Sequence, residues 1–221
     1  MQGDASRFPS VACLLYLAAD QIAPRRMMVY PLKATKVPCR PVWVHPIRLS
    51  ATIAAATYLS LRDAGSLKLH LQEVTSKNPN SKLRRGRLRT HTTLTVTEAD
   101  LTPRKGLAGP LLAIASGWRK GLLGEFKANG RLVDDVGFQN DDFAYFFVLD
   151  LVRRELLDAG YFIRSHGRVQ PDCERIGTLA QARAATVRWW EQRQATEPRL
   201  CAALVAVCTR ASTPRIEGAG G

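Results

Sequence analysis

The sequence predicts a mainly helical single domain built around one buried central helix at about 141–159, carrying a basic β-hairpin at about 67–97. Three observations carry that expectation. In NDDFAYFFVLDLVRRELLDAGYFIRSHGRV, residues 140–169, apolar side chains fall on two sides of a helical projection and leave only a narrow seam for Arg153 and Glu155. Between Leu67 and Val96 the apolar period changes to two, the signature of paired strands. The connection between those strands, TSKNPNSKLRRGRLR, is strongly cationic.

The chain has 221 residues and is 46% hydrophobic, enough for one substantial core. Residues 1–9 read as a flexible N-terminus, 10–210 as the domain and 211–221 as a flexible tail. From Ser10 to Ile22, Val11, Leu14, Leu15, Ala18 and Ile22 have helical spacing, with Ser10 as the N-cap. The apolar core of that helix, VACLLYLAA at 11–19, is also the one candidate targeting segment, but Asp4 precedes it and Leu17 suits a cleavage site poorly. Five prolines between residues 23 and 48 exclude a continuous helix and call for an ordered loop or short edge strands. This loop carries Trp43 among Arg25, Arg26, Lys33, Lys36, Arg40 and Arg48. An indole among cations suits a head group or a base, while the plainer reading has Trp43 lidding the core.

Ser50 is expected to cap a second, alanine-rich helix ended by Gly65, followed by a strand over 66–74. Leu61-Arg62-Asp63-Ala64-Gly65 is echoed at an offset of 95 by Leu156-Leu157-Asp158-Ala159-Gly160, which suggests two winged-helix-like helix-Gly-strand units. The hairpin connection holds Lys77, Lys82, Arg84, Arg85, Arg87 and Arg89, a wing suited to phosphates. The helix before it offers Ala, Thr and Ser where base readout wants Arg, Asn or Gln. A third helix is expected near 107–117 and a short one around 132–136. Asn140 or Asp141 would cap the central helix, Asp150 and Arg154 would pair along it, and Gly160 would end it before the strand 161–163. Two amphipathic helices over 177–193 and 198–210 complete the domain.

The formal charge is +13, from 32 Lys+Arg against 19 Asp+Glu. Residues 1–110 hold 17 basic and 6 acidic residues, a net +11, whereas 111–221 hold 15 and 13, a net +2. That asymmetry favours an anionic partner, nucleic acid or acidic membrane. Cys13, Cys39, Cys173, Cys201 and Cys208 form no CxxC pair and no dense array, so reduced, mostly buried thiols and a cytoplasmic chain are expected, without a metal. Asp134, Asp135, Asp141 and Asp142 lack the alternation and central glycine of a calcium loop. A nucleophile elbow and a phosphate loop are missing, and His45, His70, His91 and His166 are scattered, so no catalytic role is expected and an enzyme remains a further alternative.

Taken in order, CLLYLAAD (13–20), YLSLRDAGSLKL (58–69), KLRRGRLRTHTTLTVTEAD (82–100) and VLDLVRRELLDAGYF (148–162) resemble the Golgi phosphoprotein 3 family, over residues 10 to about 210. That resemblance implies a mostly helical phosphoinositide-binding fold with no cofactor, peripheral at a membrane. In the family an early-loop Trp and Arg hold the head group with two helical arginines. Trp43 would take the first place and Arg48 lies close to the second, but the helical positions fall near Phe146 and Leu149, which are not basic. The family's hairpin also implies self-association through residues 67–97. The expected anion-binding residues are therefore Trp43, Arg48, Lys82, Arg84, Arg85, Arg87 and Arg89, with acidic phospholipid as partner and a winged-helix nucleic-acid binder as the alternative.

Overall fold

The computed structural model describes residues 8–25, 34–77, 88–97, 106–112, 125–127 and 144–211, and helices dominate them. Helix α1, Val11–Leu17, starts where expected: Ser10 Oγ accepts the Cys13 N–H at 3.3 Å. A break at Ala18 separates it from α2, Ala19–Ile22. Six of the seven α1 residues are buried, so VACLLYLAA is core. The proline-rich loop forms two two-residue strands, β1 (Thr35–Lys36) and β2 (Trp43–Val44), paired antiparallel with Lys36 opposite Trp43.

Helix α3, Pro46–Asp63, begins a turn earlier than the Ser50 cap would have it. Pro46 needs no N–H at the first position, and Ser50 sits inside the helix donating to the Ile47 carbonyl at 3.0 Å. Fourteen of its 18 residues are buried, and α1, α5 and α8 pack around it. This helix, not the one at 141–159, is the enclosed centre. Its run Ala54-Ala55-Ala56 lets neighbouring backbones approach closely, which a helix studded with Phe does not.

A short helical segment, α4, occupies 108–112, where the Leu111 carbonyl accepts the Tyr58 hydroxyl at 3.3 Å. Helix α5, Ala144–Asp158, buries Tyr145, Val148, Leu149, Val152 and Leu156 on one side. Its other side leaves Phe146 43% and Phe147 37% exposed, and there Arg154 pairs with Asp150 at 2.6 Å, as the spacing implied. The seam residues are both used. Arg153 Nε donates to the Tyr16 hydroxyl at 2.8 Å, and Glu155 Oε1 accepts the Ser10 N–H at 3.2 Å, tying α5 to α1.

The two helix-Gly units share one cap. Ser66 N–H reaches the Leu61 carbonyl at 2.8 Å and Gly65 N–H the Arg62 carbonyl at 2.9 Å; Tyr161 and Gly160 repeat both bonds to Leu156 and Leu157, at 2.8 and 3.0 Å. Both glycines are left-handed, at φ 71° and 76°, as this cap requires. Each cap launches an antiparallel hairpin: β3 (Lys68–Lys77) with β4 (Leu88–Thr97), and β6 (Phe162–Ser165) with β7 (Arg168–Pro171). The first is a ladder of ten pairs, from Lys68 opposite Thr97 to Lys77 opposite Leu88, and β5 (Glu125–Lys127) adds a third strand against β4. Leu69 and Leu71 pack against the core, which orients the ladder's base.

Helices α6 (Cys173–Gly177), α7 (Ala180–Thr196) and α8 (Pro198–Ala211) close the fold. The last two match the expected pair, while α6, capped by Asp172 accepting the Arg175 N–H at 3.1 Å, was not anticipated. The cysteine expectation needs correcting. Cys13, Cys201 and Cys208 are free and buried, but Cys39 and Cys173 are joined in a disulfide across 134 residues. Sequence spacing misses it because the fold alone brings the Cys39 turn to the start of α6. Such a bond belongs to oxidising compartments, so the cysteines no longer argue for a cytoplasmic chain. No helix among the described residues is long and apolar enough to cross a membrane. The caps Asn140 and Asp141, the segment 132–136 and the cluster Asp134, Asp135, Asp141 and Asp142 lie outside the described residues.

Candidate anion-binding site

The expected site residues fall into two groups. Trp43 and Arg48 flank the entry to α3. Trp43 is half-buried in β2, a strand held on one side by β1 and on the other by a bridge from Arg25 to Val44. The turn before it is clamped twice, by the Cys39–Cys173 disulfide and by Arg40 pairing with Asp20 of α2. Cys39 adopts φ 58°, a left-handed conformation that a non-glycine residue keeps only when its surroundings impose it. The indole therefore sits on a fixed platform, partly covering the core and partly open.

Arg48 stands exposed on the first turn of α3, with no ion pair among the described residues. It borders a surface groove of about 440 Å³ along α8, whose walls include Cys201, Ala202, Val205 and Ala206, with Gln194 and Pro198 beyond. Arg48 is the one charged residue in that lining. The Cys201 thiol is pushed up by burial and then by Glu197. Burial likewise pushes Cys208 up to about 12. A trough of mixed lining, with Ala202, Val205 and Ala206 along α8 and a cation at its rim, can receive an amphiphile: a chain along α8 and an anionic group at the guanidinium.

The second group is the hairpin. Lys82, Arg84, Arg85 and Arg87 lie outside the described residues, in the segment joining Lys77 to Leu88. Arg89 is in β4, opposite Ser76, one pair from the ladder's end. Ten residues of antiparallel strand extend roughly 30 Å, so the cationic connection begins that far from the α3 cap. The helical clamp implied by the resemblance is incomplete: Phe146 is exposed, Leu149 is buried, and neither supplies a cation.

Sequence reasoning missed two features. The α8 groove is one, because it exists only where α8 lies against the start of α3. The other is the tip of the β6–β7 hairpin, with exposed Arg164 and Arg168, for which the turn signal His166-Gly167 was available. Among the other arginines, Arg62 and Arg193 are committed to Glu197 and Asp63, and Arg183, lowered by burial and then by Arg40, donates to the Leu17 carbonyl at 3.3 Å. Comparison of the chain with protein-family models, curated proteins and solved structures finds no match.

Proposed function

We propose that this chain is a non-catalytic binding protein for an anionic surface, with acidic phospholipid carrying a phosphoinositide-like head group as its partner. The observation that carries the reading is Arg48, an exposed guanidinium with no ion pair among the described residues, at the rim of the α8 groove with its Ala202, Val205 and Ala206 wall. Nucleic acid has no use for that groove; a lipid has. The cationic hairpin, Lys82, Arg84, Arg85, Arg87 and Arg89, adds long-range attraction to an anionic leaflet, worth about 1 kcal/mol per basic residue near the surface. Trp43, half-buried in β2, suits the interfacial zone, where an indole has both an apolar and a wet end. The likeness to the Golgi phosphoprotein 3 family supports the same partner, and peripheral attachment to a membrane is the location this reading implies. Residues 67–97 would also serve in self-association, the ladder offering a long backbone edge.

A winged-helix nucleic-acid binder is the second reading, favoured by the two helix-Gly-hairpin units with their shared cap. Against it, the helix before the basic hairpin is buried over 14 of 18 residues and leaves no face to enter a groove of DNA. The test is flotation with vesicles of neutral lipid, of neutral lipid plus phosphatidylserine, and of neutral lipid plus a phosphoinositide, beside a duplex DNA shift over a salt series. Binding to acidic vesicles that falls about fivefold in Arg48→Ser is expected. Binding to DNA alone would leave the second reading standing, and binding to neither would remove both.

A further inference from the structure

We infer that the Cys39–Cys173 disulfide is a redox-sensitive clamp: a dissolved thiol of the glutathione class opens it by exchange, and the open form holds Trp43 less firmly and binds acidic lipid more weakly; this rests on the lipid reading above. Cys39 and Cys173 are both exposed, whereas Cys13, Cys201 and Cys208 are buried. The bond is therefore the sulfur couple that a dissolved thiol can reach, and an exposed disulfide is the kind that exchanges.

The bond ties together two surface pieces that are anchored unequally. At one end, Cys173 opens α6, which has holds of its own: Asp172 accepts the Arg175 N–H at 3.1 Å, Arg175 Nη1 donates to the Gly160 carbonyl at 3.1 Å with its guanidinium 5.4 Å from the centre of the Tyr161 ring, and Ile176 is buried. At the other end, the turn 37–42 has less. Val37 N–H reaches the Val42 carbonyl at 2.9 Å and Arg40 pairs with Asp20, but β1 and β2 are two residues each, and an isolated two-stranded pair is marginal in water. Among the described residues no hydrogen bond or ion pair joins 34–44 to α6 besides the disulfide. Opening it leaves α6 in place and takes from the turn its covalent hold. Cys39, at φ 58° while bonded, is then free to return to negative φ. Val44 and His45 stay tied to Arg25 and Pro24, so the start of α3 and Arg48 keep their places and the loosening falls on 37–43, the stretch that ends in Trp43.

The exchange balances with glutathione alone. A glutathione thiolate attacks one of the two protein sulfurs; the Cys39–Cys173 S–S bond breaks as a mixed disulfide forms, and the departing sulfur leaves as a thiolate that takes a proton from water. A second glutathione thiolate then attacks the mixed disulfide, releasing glutathione disulfide and the second protein thiol. The protein pair has gained two electrons and two protons, and two glutathione thiols have lost them. Oxidised glutathione drives the same steps backward and closes the clamp.

The test equilibrates the full chain in buffers of graded reduced and oxidised glutathione, traps thiols by alkylation for mass spectrometry, and floats the same samples with vesicles of neutral lipid and of neutral lipid plus phosphatidylserine. Thiols at Cys39 and Cys173 should appear together while the circular dichroism stays unchanged. Binding to the acidic vesicles should fall about three- to tenfold, the cost of ordering a side chain that had been fixed, and return on reoxidation. Cys39→Ser/Cys173→Ser should bind as the reduced wild type does at every glutathione ratio. In Trp43→Ala the two redox forms should bind alike, because clamp and indole act through one contact; a gap of wild-type size there would overturn the route through Trp43. Equal flotation of oxidised and reduced wild type would overturn the clamp and leave the lipid reading standing. A pair that stays oxidised at every ratio, or helix lost on reduction, would overturn the clamp as well, the latter making the bond part of the fold. A chain that floats in neither form would overturn the lipid reading, and the clamp with it.

Discussion

Arg62 donates through Nη2 to Glu197 Oε1 at 2.8 Å, joining the last turn of α3 to the corner between α7 and α8, 135 residues later. Its Nη1 reaches Oε2 of the same carboxylate, and Arg193 completes the knot with bonds to Glu197 at 3.1 Å and to Asp63 at 2.7 Å. Four charged side chains from α3, α7 and the corner thereby neutralise one another, which removes two arginines from the pool available to an anionic partner.

Replacing Glu197 by Gln should lower stability by about 1 kcal/mol at neutral pH, a modest figure because the pair is partly solvated. The Glu197 carboxyl is held below the usual range, first by the Arg62 hydrogen bond. A depressed folded value means the stabilisation is complete above the unfolded carboxylate pKa of about 4.3 and fades as pH falls through the folded one. Urea unfolding of both proteins at pH 7 and pH 3 should show the gap closing in acid. A gap of equal size at both pH values would remove the carboxylate from the account.

The paired caps make a matched comparison. Gly65→Ala meets nothing within 4 Å and should cost about 1 kcal/mol for the left-handed backbone alone. At Gly160 a new Cβ would lie 2.3 Å from Arg175 Nη1, which now donates to the Gly160 carbonyl at 3.1 Å. Gly160→Ala should therefore be the more destabilising of the two in thermal melts, and the reverse order would mean that the guanidinium moves away without loss.

Under native, non-reducing conditions a thiol reagent should modify no cysteine, since three are buried and two are bonded. After mild reduction, mass spectrometry should find two labels, on Cys39 and Cys173. Cys39→Ser/Cys173→Ser should lose about 2–4 kcal/mol, the usual contribution of a disulfide that restrains the unfolded chain. Labelling of all five cysteines without denaturant would contradict the burial of α1 and α8.

Converting Arg84, Arg85, Arg87 and Arg89 together to Ser should weaken binding to acidic vesicles and flatten its salt dependence while leaving the melting temperature within a degree or so, the outcome expected of charges that serve a partner rather than the fold. A large fall in melting temperature would instead make the connection a packing or assembly element.

Local chemistry was legible in the residues themselves: Ser10 as a cap, Gly65 and Gly160 as left-handed stops, the period-two run that becomes β3 and β4, and the Asp150–Arg154 pair. Each depends on neighbours within a few positions, so the chain's own order determines it. The centre of the fold was not legible. The alanine-rich α3 looked lighter than α5, yet three helices enclose it, because burial depends on how many neighbours approach and small side chains admit them from every side. Tertiary structure alone brought Cys39 to Cys173, Arg62 to Glu197 and Arg48 to the α8 groove, contacts separated by more than 130 residues whose geometry follows from helix packing that no local pattern encodes.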